Sequence, residues 1–191
     1  ALKAGIPVDK AYGISRAESR GTPAAFAFNL HLGQHNPNDP DNPRNRTAEQ
    51  EMMLRRAMEA SGLKVNLDSR AAQNYYGEDA RRALDLAVAV NPVAAVQGGA
   101  FGEFQVTGKY GDALGYIKEK FPEFETDEEA AAAFLGLFKK HPGMVGDDMF
   151  ARWFQKNPEA QKAAAEGDLD ALASEYYGAL RDPEEAGISA E

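Results

Sequence analysis

The sequence contains no cysteine in 191 residues. That excludes disulfides, thiolate metal sites and a cysteine nucleophile. It leaves the compartment open, because cytoplasmic and exported chains alike can do without thiols. Histidine is nearly as scarce, with only His31, His35 and His141 present. His31 and His35 stand four apart, the spacing that aligns two ligands on a helix. However, Gly33 lies between them and Pro37 follows, so no helix is expected there. With no HExxH motif either, neither a metal centre nor a cofactor is expected. Positive charge is in deficit: Lys and Arg total 21 against 30 Asp and Glu, a net charge of -9. A nucleic-acid footprint needs a basic face that releases counterions, so nucleic acid is not an expected partner. The arginines of "RNRTAEQEMMLRR" are interleaved with acids and read as a solvated helix face. The apolar runs fall far short of the ~20 residues of a membrane span, and no signal peptide is visible. The chain starts at Ala1 rather than Met, as a processed product would. Two common catalytic signatures are also missing. "GGAFGEFQVTGK" fails the GxxxxGK[ST] spacing because Tyr110 follows Lys109, which argues against a phosphate loop. No GxSxG elbow occurs.

Hydrophobic residues make up 43% of the chain and charged residues 27%, enough apolar content for a packed core. The length fits one domain, expected over 1–181, with a tail over 182–191 that lacks apolar periodicity and should fray. Helical signals dominate. Pro7 and an apolar stripe (Val8, Tyr12, Ile14, Ala17) predict a helix that ends before Gly21. Thr47 with Gln50 forms a capping box ahead of a helix over about 48–61. "EDARRALDLAVAV" places Ala80, Ala83, Leu84, Ala87 and Val88 on one face, and "PVAAV" can open a short turn after it. "GDALGYIKEKF" predicts another helix. "TDEEAAAAFLGLFKKHPG" carries a second capping box at Thr126 and Glu129, with acids in its first turn and bases in its last. "DDMFARWFQKN", "PEAQKAAAEG" and "DLDALASEYYGALR" predict three more. Between them lies a turn-rich loop, "NPNDPDNPRNRT". The expected class is all-α, mainly helical, with at most a short β-hairpin from the only segments of extended character, "AFAFNLHL" and "GEFQVTG".

Two stretches carry chemistry. Glu18 closes the first predicted helix. Apolar neighbours and the negative helix end would raise its pKa toward that of a general acid near neutral pH; the alternative is an ordinary surface glutamate. "GGAFGEFQVTG", Gly98 to Gly108, is too glycine-rich for a helix interior and too apolar for a linker. Glycine lets a polymer approach the backbone closely. Gln105 can offer both an amide donor and an acceptor to an N-acetyl group, or it can tie the turn together. Phe101 and Phe104 serve either as core anchors or as sugar-stacking faces. Glu103 is an acid in an apolar turn, costly to bury unless paired or protonated. It either faces a cleft or braces the turn.

Four features in order, "ESRG" (Glu18–Gly21), "FNLH" (Phe28–His31), "AFGEFQVTG" (Ala100–Gly108) and "LASEYYGAL" (Leu172–Leu180), resemble the lysozyme-like N-acetylmuramidase family of phage endolysins and bacterial cell-wall hydrolases. Together they span about Tyr12 to Leu180. The resemblance implies a lysozyme-like, goose-type or transglycosylase-like helical domain. It implies cleavage of the β-1,4 bond between N-acetylmuramic acid and N-acetylglucosamine, with Glu18 as catalytic acid. Glu103 is the candidate second carboxylate. Phe101, Gln105, His31 and either Tyr176 or Tyr177 are candidates for binding glycan; adjacent residues on a helix point ~100° apart, so only one of the two tyrosines can face a cleft. Three positions depart from the family pattern: Phe101 where Trp or Tyr is usual, Glu103 where an apolar residue is usual, and Tyr177 where Asn is usual. The implied partners are peptidoglycan glycan strands and an immunity or carrier protein. The implied place of action is the cell wall, reached from the periplasm, by secretion or from a virion. A lytic transglycosylase, and a helical interaction module without catalysis, are the alternatives.

Overall fold

The computed structural model describes residues 21, 22, 24–65 and 74–180. The helix expected over 7–20, with Glu18 near its end, and the tail over 182–191 lie outside the described residues. Within them the chain is mainly helical, with eight helices and a small four-stranded sheet.

The sheet comes first because it positions the glycine-rich segment. Strand β1 (Phe26–Asn29) is buried along its whole length. It pairs antiparallel with β2 (Asn74–Tyr76) on one side and β3 (Gly99–Phe101) on the other, and β3 pairs with β4 (Val106–Thr107), giving the order β2-β1-β3-β4. The expectation of an all-α chain with at most one short hairpin is corrected here. The two segments of extended character do hold β1 and β4, but β2 and β3 are three residues each, too short to show a pattern. The register sets Phe26 opposite Phe101 and Phe28 opposite Gly99. The β3–β4 turn therefore lies at the end where the chain enters β1, and the Gly102 amide donates to the Ala25 carbonyl at 2.9 Å.

The helices follow their local signals. α1 (Ala48–Ala60) carries the predicted capping box: the Gln50 amide donates to Thr47 Oγ1 at 3.2 Å and the Thr47 amide to Gln50 Oε1 at 3.0 Å. α2 (Gly77–Val90) buries Ala80, Ala83, Leu84 and Ala87. α3 (Pro92–Gly98) is capped by Asn91 and leads straight into β3. α4 (Ala113–Lys120) follows β4. α5 (Asp127–Lys140) has the second capping box, at Thr126 and Glu129. α6 spans Pro142–Lys156 and begins five residues before the expected Asp147. Pro142 suits the first helical position, and Gly146 answers to a packing demand described below. α7 (Pro158–Glu166) and α8 (Leu169–Leu180) complete the chain.

Aromatic side chains clamp helices onto the sheet. Phe101 lies 5.4 Å from Phe26, 4.9 Å from Phe134 and 5.0 Å from Phe138, centroid to centroid. Phe104 stacks on Phe150 of α6 at 4.0 Å. The long loop after β1 is fixed by a buried cation. Arg46 donates to Glu51 at 2.7 Å and to the Leu30 carbonyl at 2.5 Å. Its burial lowers its pKa, and Glu51 opposes that shift. Among the described residues no helix is long and apolar enough to cross a membrane.

Candidate functional site

The site is built on a contact between two glycines. Gly102 opens the β3–β4 turn at φ +73°, the left-handed region that glycine adopts without strain. It lies on α6 at Gly146. A Cβ placed on Gly146 would meet Phe101 C at 2.7 Å and Gly102 Cα at 2.9 Å, so the two backbones touch with no space for a side chain. The residues that follow each glycine, Glu103 and Asp147, are thereby brought within electrostatic reach of each other.

Both carboxyl residues are half-buried. Asp147 Oδ1 is enclosed and has no hydrogen-bond partner among the described residues. Burial, then the negative charge of Glu103, then that of Asp148, push the Asp147 pKa up to about 6. Asp148 is compensated elsewhere: Tyr116 Oη and Lys120 Nζ each donate to its Oδ2 at 2.7 Å. Burial, with the bond to Asp148, drives the Tyr116 pKa up to about 12. Asp147 thus holds a proton almost to neutrality beside a second carboxyl, an arrangement suited to acid–base exchange.

Gln105 sits in the left-handed region at φ +49°. Its backbone amide and its Nε2 both donate to the Gly102 carbonyl, at 3.1 and 3.0 Å. The side chain is buried, and its amide nitrogen closes the turn. Phe101 and Phe104 are core residues. Tyr176 is buried on α8, donates its hydroxyl to the Phe104 carbonyl, and packs against Phe150 and Trp153. Tyr177 is half-buried beside it, ring centroids 5.2 Å apart. The structure therefore gathers Phe101, Glu103, Gln105 and Tyr176 around one turn, with Phe101 and Tyr176 as its support, while Tyr177 stands against Tyr176. His31 is buried beyond Asn29, at the opposite end of the β1–β3 pair from the turn by the register. Glu18 lies outside the described residues.

Asp147 was not among the residues singled out from sequence. Its signal was Gly146, a glycine inside a helix that marks a close backbone approach. Among the described residues no cluster of three or more His, Cys, Asp or Glu could hold a metal ion. Against known proteins, no family model, no curated protein and no solved structure matches this chain.

Proposed function

We propose that the chain is a peptidoglycan glycan-strand hydrolase of lysozyme-like helical fold, cleaving between N-acetylmuramic acid and N-acetylglucosamine. The observation that carries this reading is the Glu103–Asp147 carboxyl pair at a glycine-only contact, with Asp147 protonated up to about pH 6. Glycosidic hydrolysis needs one carboxyl to protonate the leaving oxygen and another to activate water or form a glycosyl intermediate. In this reading Glu18 is the acid, as the "ESRG" resemblance implies, and Glu103 is the second carboxylate, its negative charge one of the causes that raise the Asp147 pKa. A carboxyl separation of ~5 Å would give retention and one of ~6.5–9.5 Å inversion. The substrate places the activity at the cell wall, and an immunity or carrier protein is the protein partner the reading implies.

Two other readings compete with this one. If Glu103 only braces the turn, Glu18 serves as both acid and base, and the enzyme is a lytic transglycosylase. The burial of Phe101, Phe104 and Tyr176, together with a net charge of -9 facing an anionic wall, favours an interaction module that keeps the fold without catalysis. Incubation with purified sacculi, followed by mass spectrometry of the released fragments, separates the three. Reducing ends indicate the hydrolase and anhydro ends the transglycosylase. No release indicates the module and defeats the proposal.

A further inference from the structure

The side of α1 that faces away from the core carries a self-complementary pattern. Among the described residues four large apolar side chains are exposed, Met52, Met53, Tyr76 and Leu169, and the first two are neighbours on this helix, each 54% exposed. Single apolar residues on a surface need no explanation, but adjacent ones on one face form a patch. At ~100° per residue, Glu49, Met52, Met53, Arg56 and Ala60 fall within an arc of about 100°, and all of them are exposed. The opposite side of the helix is already engaged. Leu54 and Met58 are buried in the core. Arg46 and Arg55 pair with Glu51 at 2.7 and 2.9 Å, and the Thr47–Gln50 box fixes the first turn. The outer face is therefore held in place without being covered.

Its charges are placed symmetrically. Glu49 and Arg56 are equidistant from the midpoint between Met52 and Met53, each about one turn away. They lie about 10.5 Å from one another along the axis, too far to pair within the helix, and among the described residues neither makes an ion pair. A second copy of α1, laid antiparallel with the two-fold axis at that midpoint, supplies what each lacks. Glu49 of each copy then faces Arg56 of the other, and the methionines of both copies close the centre of the seam. This is the reciprocal contact of an isologous interface. Methionine suits such a seam because its unbranched chain adapts to the surface opposite. A partner of one charge sign would use only one end of the pattern; a second copy uses both.

We propose that the α1 face formed by Glu49, Met52, Met53 and Arg56 is a self-association surface, on which a second copy of this chain docks antiparallel. The helix has 13 residues and is about 20 Å long, which places the seam among small interfaces and makes the dimer a weak one. With a net charge of -9 on each copy, distant charges oppose the pairing until salt shortens their reach to ~8 Å at 0.15 M. The pairing does not depend on the glycan-hydrolase reading above.

The experiment is sedimentation equilibrium of the full chain in 0.15 M salt, at concentrations up to about 1 mM. The weight-average mass should rise with concentration from 20.7 kDa toward twice that value. Glu49→Arg and Arg56→Glu, both at exposed positions, each set like charges against one another at both ends of the seam. Each should weaken association about tenfold. The double variant restores opposite charges and should recover the association of the parent. An equimolar mixture of the two single variants sets arginines against glutamates and should associate more tightly than either variant alone. Circular dichroism verifies the fold of each. A parent that stays at 20.7 kDa throughout overturns the proposal and leaves the face to a different partner. A mass increase that both reversals leave unchanged, or that neither the double variant nor the mixture recovers, overturns it as well, because the copies then meet elsewhere or in another register.

Discussion

At the residue scale, Asp147 gives a pH signature with a definite sign. Its folded pKa, about 6, lies above its ordinary value of 3.8. The folded state therefore binds the proton more tightly than the unfolded chain. The stability this contributes is complete below the unfolded value and is lost as pH rises through about 6. Glu119 behaves in the opposite sense: Arg152 and Lys156 hold it down at about 2, so its contribution is present at neutral pH and disappears only in strong acid. Asp147→Asn should therefore melt higher than the parent at pH 7 and lose the advantage near pH 4. Thermal melts of both proteins at four pH values between 4 and 7 read the difference, and a constant gap across that range would contradict the assignment. Glu103 was legible in the sequence because an acid stands out in an apolar, glycine-rich turn. Asp147 was not, because two acids followed by an amphipathic run read as the solvated start of a helix. Its partner is 44 positions away, and only the tertiary contact joins them. Gln105 was legible as important but not in its role, since an amide serves ligand or backbone equally well until its neighbours are known.

At the element scale, the account rests on how α6 meets the β3–β4 turn. Ala in place of Gly146 would favour the helix by up to ~1 kcal/mol on propensity alone. Here its Cβ would press on the backbone of Phe101 and Gly102, which cannot yield as a flexible side chain can. Gly146→Ala should therefore destabilise by about 1–3 kcal/mol and separate Glu103 from Asp147. Gly136 on α5 is the control: nothing lies within 4 Å of its added Cβ, and Gly136→Ala should be neutral or gain up to ~1 kcal/mol. Urea midpoints of the two variants test the contrast, and equal shifts would refute it. The helices were readable because their signals are local: a capping box spans four residues, and an apolar stripe repeats within two turns. The sheet was readable only in part: "AFAFNLHL" and "GEFQVTG" marked the segments that hold β1 and β4, but β2 and β3 are three residues long and their pairing joins segments far apart in the chain. The same locality explains the late predicted start of α6, where Gly146 is required by the close approach of Phe101 and Gly102.

At the scale of the whole molecule, the proposed glycan-strand activity would bring a protein of net charge -9 to an anionic wall. Long-range repulsion of this kind is screened as the Debye length falls from ~30 Å at 0.01 M salt to ~8 Å at 0.15 M. Cleavage of sacculi should therefore quicken over that interval of ionic strength. A turbidity assay along a salt series reads the slope, and slowing from the lowest salt onward would point to attraction instead. The most direct test of the central claim is the clearing rate of purified sacculi by the parent chain and by Glu18→Gln, with equal folding verified by circular dichroism. The account predicts clearing by the parent with release of reducing ends, and loss of about 10²–10⁴-fold in the variant, the usual worth of general acid–base catalysis. Equal rates in the two proteins, or no clearing by either, would contradict it.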